Sequence, residues 1–120
     1  MKKHKDKRDI IKAWVNAFNR ADADAIANFY HGDAINDQVA LSPVKGKENI
    51  KQMFAGEFAA AKMTCIIENI YEDGAWVILE WSDPNSLRGC GFFHIVDDKI
   101  KFQRGYWDRL SFIELQKQNP

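Results

Sequence analysis

Helix-favouring and strand-favouring residues occupy different halves of this chain, and this separation limits its possible folds. After Ala61, four segments rich in Val, Ile, Phe, Trp and Tyr follow one another, at 63–71, 75–82, 87–96 and 99–107. Short turn-forming links such as Glu72-Asp73-Gly74 separate them. Because parallel pairs need long crossovers, such links predict antiparallel neighbours. We therefore predict an α+β fold in which helices come first and an antiparallel meander follows.

The first and third helices are indicated by apolar residues that recur every three or four positions. In the first helix these residues are Ile10, Ile11, Trp14, Val15 and Phe18. A turn at Ser42-Pro43 and Gly46 precedes the third helix, which begins near Lys47. Its apolar side consists of Ile50, Met53, Phe54 and Phe58. A closing helix is expected at 110–116, with Asp108 as its cap.

The segment between these two helices is interpreted as a short second helix and an irregular strand. Asp22 or Asp24 is placed to cap this helix, and Gly32 is placed to end it after Tyr30. Residues 33–41 are mixed in character and predict the irregular strand.

Length and composition exclude several classes of function. The 120 residues suffice for one domain, 1–120, with a modest cavity. The 17 basic and 17 acidic residues balance, so neither nucleic acid nor an anionic membrane surface is expected as a partner. The longest apolar run, 75–79, is too short to span a membrane, and we expect a cytoplasmic protein. No residues show metal-ligand spacing, so no metal or other cofactor is expected, and Cys65 and Cys90 are interpreted as structural thiols.

The middle of the predicted sheet is apolar on both faces, whereas a sheet covered on one side alternates apolar and polar residues. Val77 and Leu79 belong to one face of their strand, while Trp76 and Ile78 belong to the other. Three helices can cover only one face, so the other face is expected to pair with a second copy in a two-fold homodimer. The residues assigned to this outer face are Trp76, Ile78, Phe92, His94, Phe102, Arg104 and Tyr106.

Three short segments are specific enough to suggest a family. They are Trp14 to Ile26, Phe29-Tyr30-His31-Gly32-Asp33-Ala34, and Asp98-Lys99-Ile100 followed by Tyr106-Trp107-Asp108. Together with the order of elements, they resemble the opening helix, the start of the first strand and the last strand of the nuclear transport factor 2-like superfamily, and most closely its SnoaL-like domains. The resemblance covers about residues 8–115. It implies a cone in which a curved antiparallel sheet wraps around three N-terminal helices and leaves an apolar pocket.

The resemblance to ketosteroid isomerases of this fold does not carry their catalytic groups over. It would place their tyrosine at Trp14, their general-base aspartate at Gln38 and their second carboxylic acid near Gly91. An indole cannot replace a phenol as an acid, and an amide cannot take up a proton near neutral pH. None of the three roles is therefore expected here.

Limonene-type epoxide hydrolases use an Asp-Arg-Asp set, whose positions correspond to Gly105, Trp81 and Asp83. Only Asp83 keeps its carboxylate, and one carboxylate alone is not a proton shuttle. The residues that orient water in those enzymes correspond to Asn36 and Gln38.

SnoaL-type polyketide cyclases use an acid–base pair that includes a histidine. His4 lies in the charged N-terminal stretch, His31 at a predicted helix end, and His94 on the outward side of its strand. No histidine is therefore assigned a catalytic role.

What remains is a predicted pocket with aromatic walls and amide groups. Its expected lining is Trp14, Phe18, Phe54, Asn36, Gln38, Leu79, Trp81, Phe93, Gln103 and Trp107. Because ionisable groups are missing where the superfamily keeps them, we favour a homodimeric domain that binds a small, mostly apolar neutral ligand. One alternative is a small isomerase, cyclase or lyase acting on an apolar carbonyl compound, with Asp83 as the base, alone or with Asp37 or Glu80. The other is a scaffold or interaction protein whose pocket is filled.

Overall fold

The computed structural model describes residues 5–118, so the N-terminal His4 lies outside the described part. The helices are α1 (Lys7–Asn19), α2 (Ala23–Ala27), α3 (Lys47–Ala60) and α4 (Arg109–Gln118). The strands are β1 (Tyr30–Gln38), β2 (Val44–Lys45), β3 (Ile66–Asp73), β4 (Trp76–Ser82), β5 (Arg88–Val96) and β6 (Lys99–Trp107). The predicted α+β class is confirmed, and the sheet is open and curved.

The strands form one sheet in the order β2-β1-β6-β5-β4-β3. Strands β3 to β6 are antiparallel neighbours, which confirms the predicted meander. The first strand differs from this pattern, because β1 lies parallel to β6 with Asn36 opposite Gln103 and Gln38 opposite Gly105. Asn36 and Gln38 thus lie next to residues of β6 that are more than sixty positions later in the chain.

The prediction for the second helix was wrong at its C-terminal end. The sequence indicated a helix through Tyr30 to Gly32, but α2 ends at Ala27 and Tyr30 begins β1. The backbone N–H of Ile100 donates a hydrogen bond to the carbonyl of Phe29 at 2.7 Å, so contact with β6 begins at this point. Tyr30 suits a pleated surface, and pairing with β6 outweighs the local helical pattern.

Aspartate caps fix the starts of α2 and α4. Asp22, rather than Asp24, caps α2, since its side chain accepts a hydrogen bond from the backbone N–H of Ala25 at 3.0 Å. The predicted cap at Asp108 is confirmed, because its carboxylate accepts from the backbone N–H of Leu110 at 3.1 Å.

The helices cover the inner face of the sheet. Helix α1 buries Ile10, Ile11, Trp14, Val15 and Ala17, and α3 buries Ile50 and Phe54. These residues join Val77, Leu79 and Phe93 of β4 and β5 in one apolar cluster. Burial of these apolar surfaces is the main stabilising contribution to the fold.

The outer face defined above carries aromatic contacts across three strands. Trp76 stacks on His94 with ring centroids 4.8 Å apart, and meets Phe102 edge-on at 6.3 Å. The Arg104 guanidinium lies 5.0 Å from the centre of the Phe102 ring. Arg104 also approaches Asp37 at 3.6 Å, so both charged groups belong to this face. The ring contacts of Trp76, His94 and Phe102 among the described residues all lie within the sheet.

Membrane-spanning helices and clusters of metal ligands are both absent from residues 5–118. No helix there combines the length and the apolar character needed to cross a bilayer. The same residues hold no group of three or more His, Cys, Asp or Glu side chains arranged for a metal ion. Cys65 and Cys90 are free thiols, and burial raises the pKa of Cys65 to about 12.

Candidate functional site

The aromatic side chains predicted to line the pocket meet around Trp14. Its ring lies 5.7 Å from that of Phe18, 6.3 Å from that of Phe54 and 5.2 Å from that of Phe93. Trp14, Phe54 and Phe93 are buried, while Phe18 is half-buried. The structure therefore brings α1, α3 and β5 together through one aromatic cluster.

A first chain of hydrogen bonds, the Trp14 relay, begins in this cluster. The Trp14 indole Nε1 donates to the Tyr30 hydroxyl at 3.0 Å, and that hydroxyl donates to Oε1 of Gln103. An indole N–H can only donate, so the Tyr30 oxygen must accept there and its proton must go to Gln103. The direction of the relay fixes Gln103 with its carbonyl oxygen towards Tyr30.

A second chain, the Trp107 relay, runs along the neighbouring strand. The Trp107 indole Nε1 donates to Oε1 of Gln38 at 2.9 Å, and Nε2 of Gln38 donates to Oδ1 of Asn36 at 2.7 Å. Again the indole sets the direction, because Gln38 must turn its oxygen towards Trp107 and its nitrogen towards Asn36. Asn36 is 1% exposed, and its Nδ2 has no hydrogen-bond partner among the described residues.

Glycines make room for two of these side chains on the sheet. A Cβ at Gly105 would lie 2.1 Å from Oε1 of Gln38, so the Gln38 amide rests directly on the β6 backbone. A Cβ at Gly89 would lie 2.3 Å from a ring carbon of Trp81. Because Gly105 and Gly89 have no side chains, Gln38 and Trp81 can lie directly against the sheet backbone.

Glu57 carries a half-buried carboxyl group that the sequence patterns did not single out. It follows the buried Phe54 by one helical turn on α3 and is itself half-buried. Burial raises its pKa above the ordinary glutamate range, and its carboxylate has no hydrogen bond or ion pair among residues 5–118. Burial also raises the pKa of Tyr30, and the nearby Glu57 charge raises it further. The helical spacing from Ile50 and Phe54 was the signal that could have revealed Glu57.

Asp83 lies in the loop between β4 and β5. Its Oδ1 accepts hydrogen bonds from the backbone N–H groups of Asn85 and Leu87, at 2.9 and 2.8 Å. The carboxylate therefore stabilises this loop, and no hydrogen bond links it to either relay. Its assignment as a base stays a prediction.

The other candidate acids and bases have partners away from the relays. Glu80 is exposed and accepts from Asn69 Nδ2 at 2.6 Å. A ring nitrogen of His31 lies 2.6 Å from the carbonyl oxygen of Val96. Asp37 pairs with Arg104 and His94 stacks on Trp76, both on the outer face. Each of these four groups therefore has a structural partner.

Two open depressions lie elsewhere on the surface. One, of about 490 Å³, is bounded by 19–21 and 58–63, and the other, of about 250 Å³, lies between 85–87 and α4. None of the residues predicted to line the pocket borders either depression.

Comparison with known sequences identifies the family. A sequence model of the SnoaL-like domain matches residues 11–103. The chain belongs to the SnoaL-like domain family. The match includes Asn36 and Gln103, whereas Trp107 lies beyond it. No curated protein sequence matches this SnoaL-like domain significantly.

Solved structures show the same fold at low sequence identity. A nuclear transport factor 2-like protein of unknown function from Cytophaga hutchinsonii has a TM-score of 0.80 at 17% identity, over 94% of this chain and 99% of that one. An epoxide hydrolase from M. tuberculosis, similar to the limonene enzyme, has a TM-score of 0.79 at 22% identity, over 90% and 86%. The epoxide hydrolase/cyclase-like enzyme SalBIII, which takes part in pyran ring formation in salinomycin, has a TM-score of 0.76 at 18% identity, over 87% and 92%. At these identities the SnoaL-like domain shares the fold with these proteins, and the activity of each is its own.

Proposed function

We propose that this SnoaL-like domain binds a small, mostly apolar neutral ligand among the aromatic rings and amides inside the sheet. The observation that supports this most strongly is the Nδ2 group of Asn36, a buried donor without a partner. Leaving such a group unpaired costs about 1–3 kcal/mol, and a ligand oxygen would remove that cost.

The surroundings favour a ligand without charge. The rings of Trp14, Phe54 and Phe93 present apolar surface, and the two relays present amides rather than ionised groups. Burial raises the pKa of Glu57, which is consistent with a ligand that carries no charge near this part of α3. Phe18 and Trp81 are half-buried, so they form the partly exposed border of this set of residues.

A thermal-shift screen against apolar ketones, lactones and aromatic acids tests this proposal, because a ligand of the folded state raises the unfolding midpoint. We expect hits that are weakened by Gln38→Leu and by Trp81→Ala. Tyr71→Ala is the matched control, since Tyr71 is 54% exposed on the outer side of β3. If no compound raises the midpoint, or if neither variant affects any hit, the pocket proposal is wrong.

A small isomerase, cyclase or lyase acting on an apolar carbonyl compound is the second candidate. Glu57 is the observation that favours it, because an acid–base enzyme needs a group in its site whose protonation can change. Asp83, the base expected from the sequence, is the residue with which Glu57 is compared. Turnover lost in Glu57→Gln but kept in Asp83→Asn would assign the proton transfer to Glu57, whereas the reverse result would assign it to Asp83.

We further propose that the outer face joins two copies in a homodimer. Its rings contact one another and stay half-exposed in the single chain, and an isologous two-fold contact would place the same aromatic strip against itself. Light scattering at micromolar concentration is expected to give twice the monomer mass, and Phe92→Lys is expected to reduce it to the monomer. A monomeric wild-type protein would reject the dimer. A dimer that passes this test but gives no hit in the screen would instead support the scaffold alternative.

A further inference from the structure

Both relays end in an amide nitrogen. In the Trp107 relay the last group is Asn36 Nδ2, which has no partner. In the Trp14 relay the last residue is Gln103, whose Oε1 is taken by Tyr30. None of the hydrogen bonds found among residues 5–118 uses Nε2 of Gln103. The two indoles therefore orient two amides so that each offers its N–H donors.

The two amides are also neighbours in space. Asn36 and Gln103 are register partners on the parallel strands β1 and β6, so their side chains leave the same face of the sheet. Adjacent strands lie about 4.8 Å apart. Both residues are buried, with 1% and 4% of their surface exposed. Among the described side-chain nitrogens, Asn36 Nδ2 is the fully buried one without a partner, whereas Gln103 Nε2 is not.

One carbonyl oxygen has two lone pairs and can accept from two such donors. The geometry points to Asn36 and Gln103 as a two-donor site for a carbonyl oxygen, which makes the ligand an apolar ketone, lactone, ester or amide. This inference rests on the proposed binding function and deepens it by naming the group that is recognised. Trp14 and Trp107 act as positioning residues, since each holds an amide in the donating orientation without being a donor to the ligand.

A pair of probes with the same shape isolates this contact. 2-Acetylnaphthalene and 2-ethylnaphthalene differ mainly in the carbonyl oxygen, so calorimetric titration of the full chain with each measures what that oxygen adds. We expect the ketone to bind roughly ten- to a hundred-fold more tightly, as expected when a ligand satisfies an otherwise unpaired buried donor. Equal affinities would overturn the two-donor site and leave the binding function standing. Binding of neither probe would overturn both.

Two variants test the orientation of the donors. Asn36→Asp keeps the acceptor for Gln38 but loses the amide donor, so the preference for the ketone is expected to disappear above the pKa of the new carboxyl group and to return below it. Trp107→Phe keeps an aromatic ring beside Phe112, which lies 5.4 Å away, but removes the indole donor. It is expected to reduce the ketone preference, measured as the ratio of the two affinities, several-fold.

The control is Asn16→Asp, the same chemical change at an exposed position on α1, which is expected to leave both affinities unchanged. A ketone preference that persists at every pH in Asn36→Asp would contradict the assignment. A Trp107→Phe protein with the wild-type ketone preference would also contradict it. Because Trp107→Phe keeps a large ring, it still provides a test if Asn36→Asp fails to fold.

Discussion

Replacing Gly105 by alanine tests the Trp107 relay through a single methyl group. That methyl would lie 2.1 Å from Oε1, 2.7 Å from Cδ and 2.8 Å from Nε2 of Gln38. These distances are far inside van der Waals contact, so the Gln38 amide must move. Because the amide is held at both ends, by Trp107 and by Asn36, its movement breaks both hydrogen bonds of the relay.

The cost follows from those two bonds. Each contributes about 1 kcal/mol, and loss of the Gln38 donor leaves both ends of the Asn36 amide unpaired, at a further cost of about 1–3 kcal/mol. Alanine restricts the unfolded chain more than glycine and returns about 0.4–1 kcal/mol. We therefore expect Gly105→Ala to lower the free energy of unfolding by about 2–4.5 kcal/mol.

Urea denaturation with linear extrapolation measures this change, provided that the m-value stays constant. The control is Gly56→Ala on α3, where a new Cβ meets nothing within 4 Å. Alanine in a helix is expected to raise the stability by about 0.5–1 kcal/mol. Opposite signs for the two identical substitutions are the expected result. A Gly105→Ala protein as stable as the wild type would refute the reasoning, because the relay would then not be rigid.

Three further predictions concern stability. The Asn19 side chain exchanges two hydrogen bonds with the backbone of Cys65, at 3.0 and 2.7 Å, so Asn19→Ala should cost about 1–2 kcal/mol in urea denaturation, and an unchanged midpoint would contradict this. The raised pKa of Glu57 means that the folded state holds its proton more tightly, so this stability is present below the unfolded pKa and lost as pH rises through the folded pKa. Glu57→Gln should therefore gain stability over the wild type as pH rises from 4 to 8, as followed by thermal denaturation, whereas a constant difference would disprove the assignment. Asp83→Ala should speed hydrogen exchange at the amides of Asn85 and Leu87, and unaltered exchange would show that these bonds do not hold the loop.

Local patterns were sufficient for much of this fold. The turn-forming links predict the four-strand meander because they depend only on neighbouring residues, and alternation along β4 separates Val77 and Leu79 from Trp76 and Ile78. Tyr30 could not be placed in the same way. Its strand forms because β6, some seventy residues later, supplies the partner, and a local pattern contains no information about that contact.

The candidate site shows the same limit. Asn36, Gln38 and Gln103 could be expected in the interior from their positions, but the direction of each amide is set by a chain of hydrogen bonds that begins at an indole. Those indoles, Trp14 and Trp107, come from opposite ends of the chain. The burial of Glu57 could have been predicted, since Glu57 follows Ile50 and Phe54 at helical spacing on α3. The prediction for that helix considered only its apolar residues.

Side-chain amide resonances provide the most direct measurement of the central claim that two oriented amides await a ligand oxygen. In ¹⁵N-labelled protein titrated with 2-acetylnaphthalene, the NH₂ signals of Asn36 and Gln103 should move together along one saturable curve. The signals of exposed Asn16 and Asn49 should stay in place. Unmoved signals from Asn36 and Gln103 at saturation with the bound ketone would contradict the account.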